Sequence, residues 1–142
     1  MKWKAFISGI GVVGAYISHL FGGWTASLTT LCIFMGIDLI TGLIVAGVFH
    51  KSTKTETGAL QSKIGWQGLC RKGMTLLLIL VAHRIDIALG TVYVKDGVCI
   101  AFIVNEGVSI IENGGLMGIP IPKILTDAID VLKNGKGGND DE

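Results

Sequence analysis

Residues 26–49 read ASLTTLCIFMGIDLITGLIVAGVF, an apolar run in which Asp38 is the only strongly ionisable side chain. As a helix rising about 1.5 Å per residue, this run is long enough to cross the roughly 30 Å hydrocarbon core of a bilayer. A charge at the centre of such a helix costs roughly 2.5–3.5 kcal/mol, whereas each Leu, Ile, Val or Phe returns only about 0.3–0.6 kcal/mol. Asp38 is therefore expected to face protein or water, with Thr41 and Gly42 on its side of the helix. Gly42 and Ala46 repeat the small-x-x-x-small spacing that lets two helices approach closely.

Three further apolar stretches flank this one. The first covers about residues 5–21 and presents Gly11, Gly14, Ala15 and Ser18 on one face, again suited to close helix packing. The third covers about residues 74–89 and carries His83, Arg84 and Asp86. The fourth, about residues 98–116, is the least apolar, with Asn105, Glu106, Ser109, Glu112 and Asn113 recurring on one side. The Gly118-Ile119-Pro120-Ile121-Pro122 stretch ends it, because proline lacks a donor and restricts the residue before it. Residues 122–134 then alternate as an amphipathic helix, expected at the membrane surface and stopping near Asn134-Gly135. Residues 135–142 read as a mobile charged tail.

The composition agrees with a single small membrane domain over residues 1–134. Of 142 residues, 50% are hydrophobic and 16% charged, against about 25% charged in a soluble domain, and the mean hydropathy is +0.62. The expected fold is an all-α integral membrane protein with about four transmembrane helices and a C-terminal surface helix. With the N-terminus inside, Lys2, Lys4, Lys51, Lys54, Lys63, Arg71, Lys72, Lys123, Lys133 and Lys136 fall on the cytoplasmic side, Lys95 falls outside and Arg84 lies within the membrane. That asymmetry places both termini in the cytoplasm. Residues 50–73, which hold five of these basic residues against the single acid Glu56, are expected to be a mainly irregular cytoplasmic loop.

Several chemistries are disfavoured. Cys32, Cys70 and Cys99 are widely spaced and no His stands at zinc-ligand spacing, so neither a metal site nor a disulfide framework is indicated. No basic patch suggests nucleic acid. Gly9-Ile10-Gly11-Val12-Val13-Gly14 matches a dinucleotide-binding G-x-G-x-x-G, but the match needs a preceding strand and a βαβ unit, and two apolar runs joined by four residues do not supply them. The basic start and the small residues Thr25-Ala26-Ser27 mimic a cleaved signal peptide, yet a second long apolar segment follows almost at once. His83, Arg84 and Asp86 have no Ser or Cys in a nucleophile motif to serve, so no enzyme and no cofactor is expected.

Within the spans stand three acids, Asp38, Asp86 and Glu106, and one permanent base, Arg84, which is expected to pair with another helix. Pairing with Arg84 alone cannot neutralise all three. Isolated copies are thus expected to leave acidic faces unsheltered, and lateral assembly would enclose them as a hydrated lumen lined by Asp38, Thr41, His83, Arg84, Asp86, Asn105, Glu106, Ser109, Glu112 and Asn113. The alternative is that the same residues serve only as interhelical polar contacts.

Asp38-Leu39-Ile40-Thr41-Gly42-Leu43, the basic loop through Gly68-Leu69-Cys70-Arg71-Lys72-Gly73, and Val81-Ala82-His83-Arg84-Ile85-Asp86 resemble the phage lysis and toxin-secretion holins. So do residues 105–113 and the Gly-Ile-Pro-Ile-Pro stretch after them. The resemblance, which runs from Asp38 to about Lys133, implies a protein of the bacterial cytoplasmic membrane that accumulates and then self-assembles into lesions. Through these an endolysin or a large protein toxin leaves the cell without direct contact being required, and an antiholin is a conceivable partner. Two other classes use the same residues. A small ion channel or proton-coupled transporter would pass solutes but not proteins, and a structural or regulatory subunit would conduct nothing.

Overall fold

The computed structural model describes residues 2–134, and every regular element in that range is helical. Helix α1 spans Lys2–Leu20, α2 Ala26–Ile44, α3 Ser62–Leu89, α4 Val94–Leu116 and α5 Lys123–Asn134. Helix α2 runs on through a wide π-type turn, Val45–Phe49, that carries it to His50.

The element ends follow from local chemistry. Gly22 and Gly23 adopt φ of 72° and 94°, and Gly23 N–H donates to the Ser18 carbonyl at 2.9 Å, closing α1. Thr25 then starts α2: its backbone is extended and its hydroxyl accepts from Leu28 N–H at 3.3 Å, satisfying one of the amides that a helix start leaves free. Gly90, at φ 67°, ends α3, and Gly118, at φ 80°, ends α4 just before the two prolines.

Helices α2, α3 and α4 form the core, with α4 between the other two and also in contact with α5. The buried positions step by threes and fours: 28, 31, 35 and 38 on α2; 75, 79, 82 and 86 on α3; 95, 99, 103 and 106 on α4. This is the period of helices that interlock at a shallow crossing. Leu28, Leu31, Met35, Ile79, Cys99 and Ile103 make the apolar centre. Where the outside of a bundle faces lipid, burying such residues adds close packing rather than escape from water.

Among the described residues one helix, Ala26–Phe49, is long and apolar enough to cross a membrane by length and composition. The structure departs from the sequence expectation in three places. Helix α3 begins at Ser62 rather than near Met74, so the irregular connection shrinks to residues 50–61 and α3 reaches about 42 Å. Glycine and lysine in residues 62–73 suggested a loop, but Gly65, Gly68 and Lys72 continue the inward stripe of α3. Helix α4 begins at Val94 instead of Val98. Helix α5 folds back along α4, with Ile121 against Gly114 and Ile129 buried against Gly107. A Cβ on Gly107 would stand 2.6 Å from Ile129 Cδ1, so the Ile129 side chain fits this rotamer only against a bare backbone. The tail expected at residues 135–142 lies outside the described residues.

Helix α1 differs from the rest, since it buries no residue. A Cβ at Gly11 or Gly14 would meet nothing within 4 Å, so among the described residues nothing packs on this face at those two positions. Among the described residues the helix is tied near its C-terminal end, where the Lys95 ammonium donates to the Phe21 carbonyl at 2.9 Å and the His83 ring lies against Gly22.

Candidate functional site

Midway along the three-helix core the inward stripes change from apolar to charged. From α2 comes Asp38, from α3 Lys72, and from α4 Glu106, Ser109 and Asn113. Lys72 Nζ donates to Asp38 Oδ2 at 2.8 Å and also to Glu106 Oε2. Ser109 Oγ and Asn113 Nδ2 donate to Asp38 Oδ1 at 2.5 and 3.2 Å, and the same amide donates to Thr41 Oγ1 at 2.9 Å. The Thr41 hydroxyl in turn donates to the Ile37 carbonyl. Gly42 packs beside this amide, with Asn113 Nδ2 3.8 Å from where its Cβ would stand.

The charged side chains are nearly closed off, at 13% exposure for Lys72 and 9% for each acid. Two carboxylates around one ammonium carry a net charge of −1 when all are ionised. Such an arrangement survives away from water only because the lone pairs are met by donors, and losing one partner strands the others.

The sequence reading groups Asp38, Thr41, Glu106, Ser109 and Asn113 with His83, Arg84, Asp86, Asn105 and Glu112 in one polar set and leaves Lys72 in the loop; the structure brings the first five together around Lys72. The expectation that a lone subunit leaves its acids unsheltered is corrected accordingly: one subunit encloses Asp38 and Glu106 and supplies their counter-ion. The legible signal was the 3–4 spacing Lys72, Thr75, Ile79, Ala82, Asp86, which puts Lys72 on the buried stripe of α3.

The remaining predicted residues lie elsewhere. Asp86 sits at the other end of the bundle, buried, where its carboxylate accepts from Thr91 Oγ1 at 2.6 Å and from the amides of Val94 and Lys95 at 3.0 and 2.8 Å. It thereby caps the first turn of α4, where an anion also meets the positive end of the helix dipole. Arg84 is exposed, and the ion pairs among the described residues do not include it, against the expectation of an interhelical partner. His83 is half-buried beside Gly22. Asn105 and Glu112 are exposed on the outside of α4, away from the cluster. Of the packing residues on α2, Ala46 is buried.

The bacteriophage holin family matches residues 15–134, a range that contains the whole charged cluster. An uncharacterized protein of Halalkalibacterium halodurans is 37% identical over 139 residues, covering 94% of this chain and 93% of that protein. An uncharacterized 14.9 kDa protein of Clostridium perfringens is 36% identical, covering 96% and 95%. A probable holin of Bacillus phage phi105 is 33% identical over 122 residues, covering 82% and 81%. No solved structure matches the chain. With the family matched across the charged core, this chain belongs to the bacteriophage holin family, which places it in the cell membrane and points to a non-enzymatic role.

Proposed function

We propose that the protein is a holin of the bacterial cytoplasmic membrane, in which α1 to α4 each cross the bilayer and both termini lie in the cytoplasm. It accumulates as closed subunits, which later assemble into lesions that release a cell-wall hydrolase or a large protein toxin. The observation that carries this reading is the family match over residues 15–134. Two features of the molecule support it. The enclosed Asp38–Lys72–Glu106 cluster lets a subunit wait in the membrane without presenting charge to lipid. The unpartnered α1, with Gly11, Gly14, Ala15 and Ser18 on one face, is available to another copy.

Assembly then competes with the closed state. When the α2–α3–α4 contact loosens, Asp38, Thr41, Glu106, Ser109 and Asn113 become lumen-facing, and water takes the place of Lys72 at the two acids. A membrane potential acts on such charges at about 2.3 kcal/mol per elementary charge per 100 mV, so collapse of the potential shifts the balance between closed and open forms.

Inducible expression with simultaneous readout of membrane potential, dye entry and escape of a cytoplasmic reporter enzyme tests the proposal. Abrupt depolarisation accompanied by enzyme escape is expected. Depolarisation with the reporter retained would replace the lesion by a narrow channel, for which the paired acids form an ion path. An undisturbed membrane would leave a structural subunit.

A further inference from the structure

Helix α5 returns along α4 instead of leaving it. Ile121 meets Gly114, and Ile129 meets Gly107, two turns earlier on α4, so the two helices run antiparallel. Gly107 precedes Leu116, the end of α4, by a stretch of helix about 14 Å long at 1.5 Å per residue. The last turn of α5 reaches past that level, and the residue before Gly107 is Glu106 of the charged cluster.

At this depth α5 presents two unlike flanks. With about 100° between successive residues, Leu125, Leu132 and Ile124 fall on one side of Ile129, whereas Lys133, Asp130 and Asp127 fall on the other. Among the described residues Ile129 is the one α5 side chain that is buried, and all six flanking residues are exposed, Ile124 to 80%. A helix docked simply to hide its apolar side would turn the middle of that side, near Leu125 and Leu132, toward α4. Ile129 stands at its edge instead. Docked in this way, α5 leaves hydrocarbon bare on one flank and charge bare on the other.

The flanks call for different surroundings. With α4 crossing the bilayer, the level of Gly107 is well inside the hydrocarbon layer, where aliphatic side chains are at home and ionised ones are not. Lipid on both sides would strand Asp130 and Lys133. Water on both sides would bare Ile124, Leu125 and Leu132. Lipid on one side and water on the other suits all six.

We infer that docked α5 forms part of the wall of the lesion, with Ile124, Leu125 and Leu132 toward lipid and Asp127, Asp130 and Lys133 toward the aqueous lumen. The inference rests on the holin reading and adds to it a lumen element outside the α2–α3–α4 core, whether or not those helices part. In a lone subunit ringed by lipid the charged flank finds no water at this depth, so docking accompanies the opening of the path.

The test uses the full chain with Cys32→Ala, Cys70→Ser and Cys99→Ala, reconstituted in phosphatidylglycerol–phosphatidylethanolamine vesicles loaded with a reporter enzyme. Gly107→Cys with Ile129→Cys removes the Cδ1 that a Cβ at position 107 would overlap, so an oxidised pair reports the docked helix. That pair is expected to form at least fivefold faster in vesicles that release the enzyme than in vesicles that hold it. In the leaking population, a nitroxide at Asp130→Cys is expected to be at least fivefold more accessible to a water-soluble nickel chelate than one at Ile124→Cys, with the order reversed for oxygen. Leakage without the crosslink overturns the inference and leaves the holin proposal standing. So does equal access of nickel to the two positions, whether both are wet or a second copy covers both. Vesicles that never leak overturn both readings. A second variant keeps the native cysteines: Asp130→Leu with Lys133→Leu alters two exposed side chains and leaves the net charge unchanged. In cells it is expected to cut escape of a reporter enzyme at least tenfold per copy of inserted protein, and unchanged escape overturns the wall.

Discussion

At the scale of single residues, Lys72 is the most consequential side chain in the molecule. It is one ammonium between two acids, and its removal leaves Asp38 and Glu106 enclosed without a counter-ion. Stranding a buried charge costs about 3–5 kcal/mol, whereas replacing all members of such a group by neutral residues of similar shape is often harmless. Lys72→Met is therefore expected to destabilise the purified protein by about 3–5 kcal/mol in denaturant titrations in detergent. In cells it should bring leakage forward or deplete the protein. The triple variant Lys72→Met, Asp38→Asn, Glu106→Gln is expected to recover most of the loss, and a triple variant no better than the single one would show that the ion pairs are not what holds α3 in place. Asp86 makes a second, separable case. Asp86→Ala deprives Thr91 and two amides of their acceptor, for an expected loss of about 1–3 kcal/mol. Asp86→Asn keeps one acceptor oxygen and should lose less, so equal losses in the two variants would argue against the capping role.

At the scale of elements, the legible parts were those in which one kind of signal ran the length of the helix. Helix α2 was plain from its apolar run, and α5 from an amphipathic period bounded by Pro122 and Asn134. The first half of α3 was not. Gly65, Gly68 and Gly73 carry no hydrophobic signal, and Lys63, Arg71 and Lys72 carry a polar one, so composition pointed to a loop while the inward stripe stayed hidden. That stripe is made of glycine, lysine and threonine because it faces a cavity and a charged cluster, not an apolar core. The site was legible in the same partial way: acids and amides were found by their depth in apolar runs, but their base was sought in Arg84, which is exposed. Helix α1 poses the opposite case, since its small-residue face was legible and none of the described elements meets it at Gly11 or Gly14. Gly11→Leu with Gly14→Leu is therefore expected to leave the unfolding midpoint of the detergent-solubilised subunit unchanged while reducing crosslinked oligomers and delaying lesion onset. A fall in subunit stability would place this face inside the fold, and unaltered crosslinking would remove it from assembly.

At the scale of the whole molecule, the three cysteines report whether the closed subunit survives into the lesion. Cys70 is exposed on α3, Cys32 is half-buried, and Cys99 is fully buried among the apolar residues at the centre of the bundle. Thiol reagents reach a buried sulfur only through an opening of the structure, and an opening that costs about 3 kcal/mol slows the reaction by roughly two orders of magnitude. In inverted membrane vesicles made before triggering, Cys70 is expected to react with a maleimide about a hundredfold faster than Cys99. After dye entry begins, the two assembly routes diverge. If α2, α3 and α4 part to expose the Asp38–Lys72–Glu106 level to water, Cys99 lies within the separating interface and its labelling should rise toward that of Cys70. If closed bundles instead gather through α1, the packing around Cys99 is untouched and its protection should persist while the cell leaks. The proposal of lumen-facing Asp38 and Glu106 requires the first outcome. Sustained protection of Cys99 in leaking cells would confine the charged cluster to holding each subunit shut and leave the lesion wall to the outer faces of the helices.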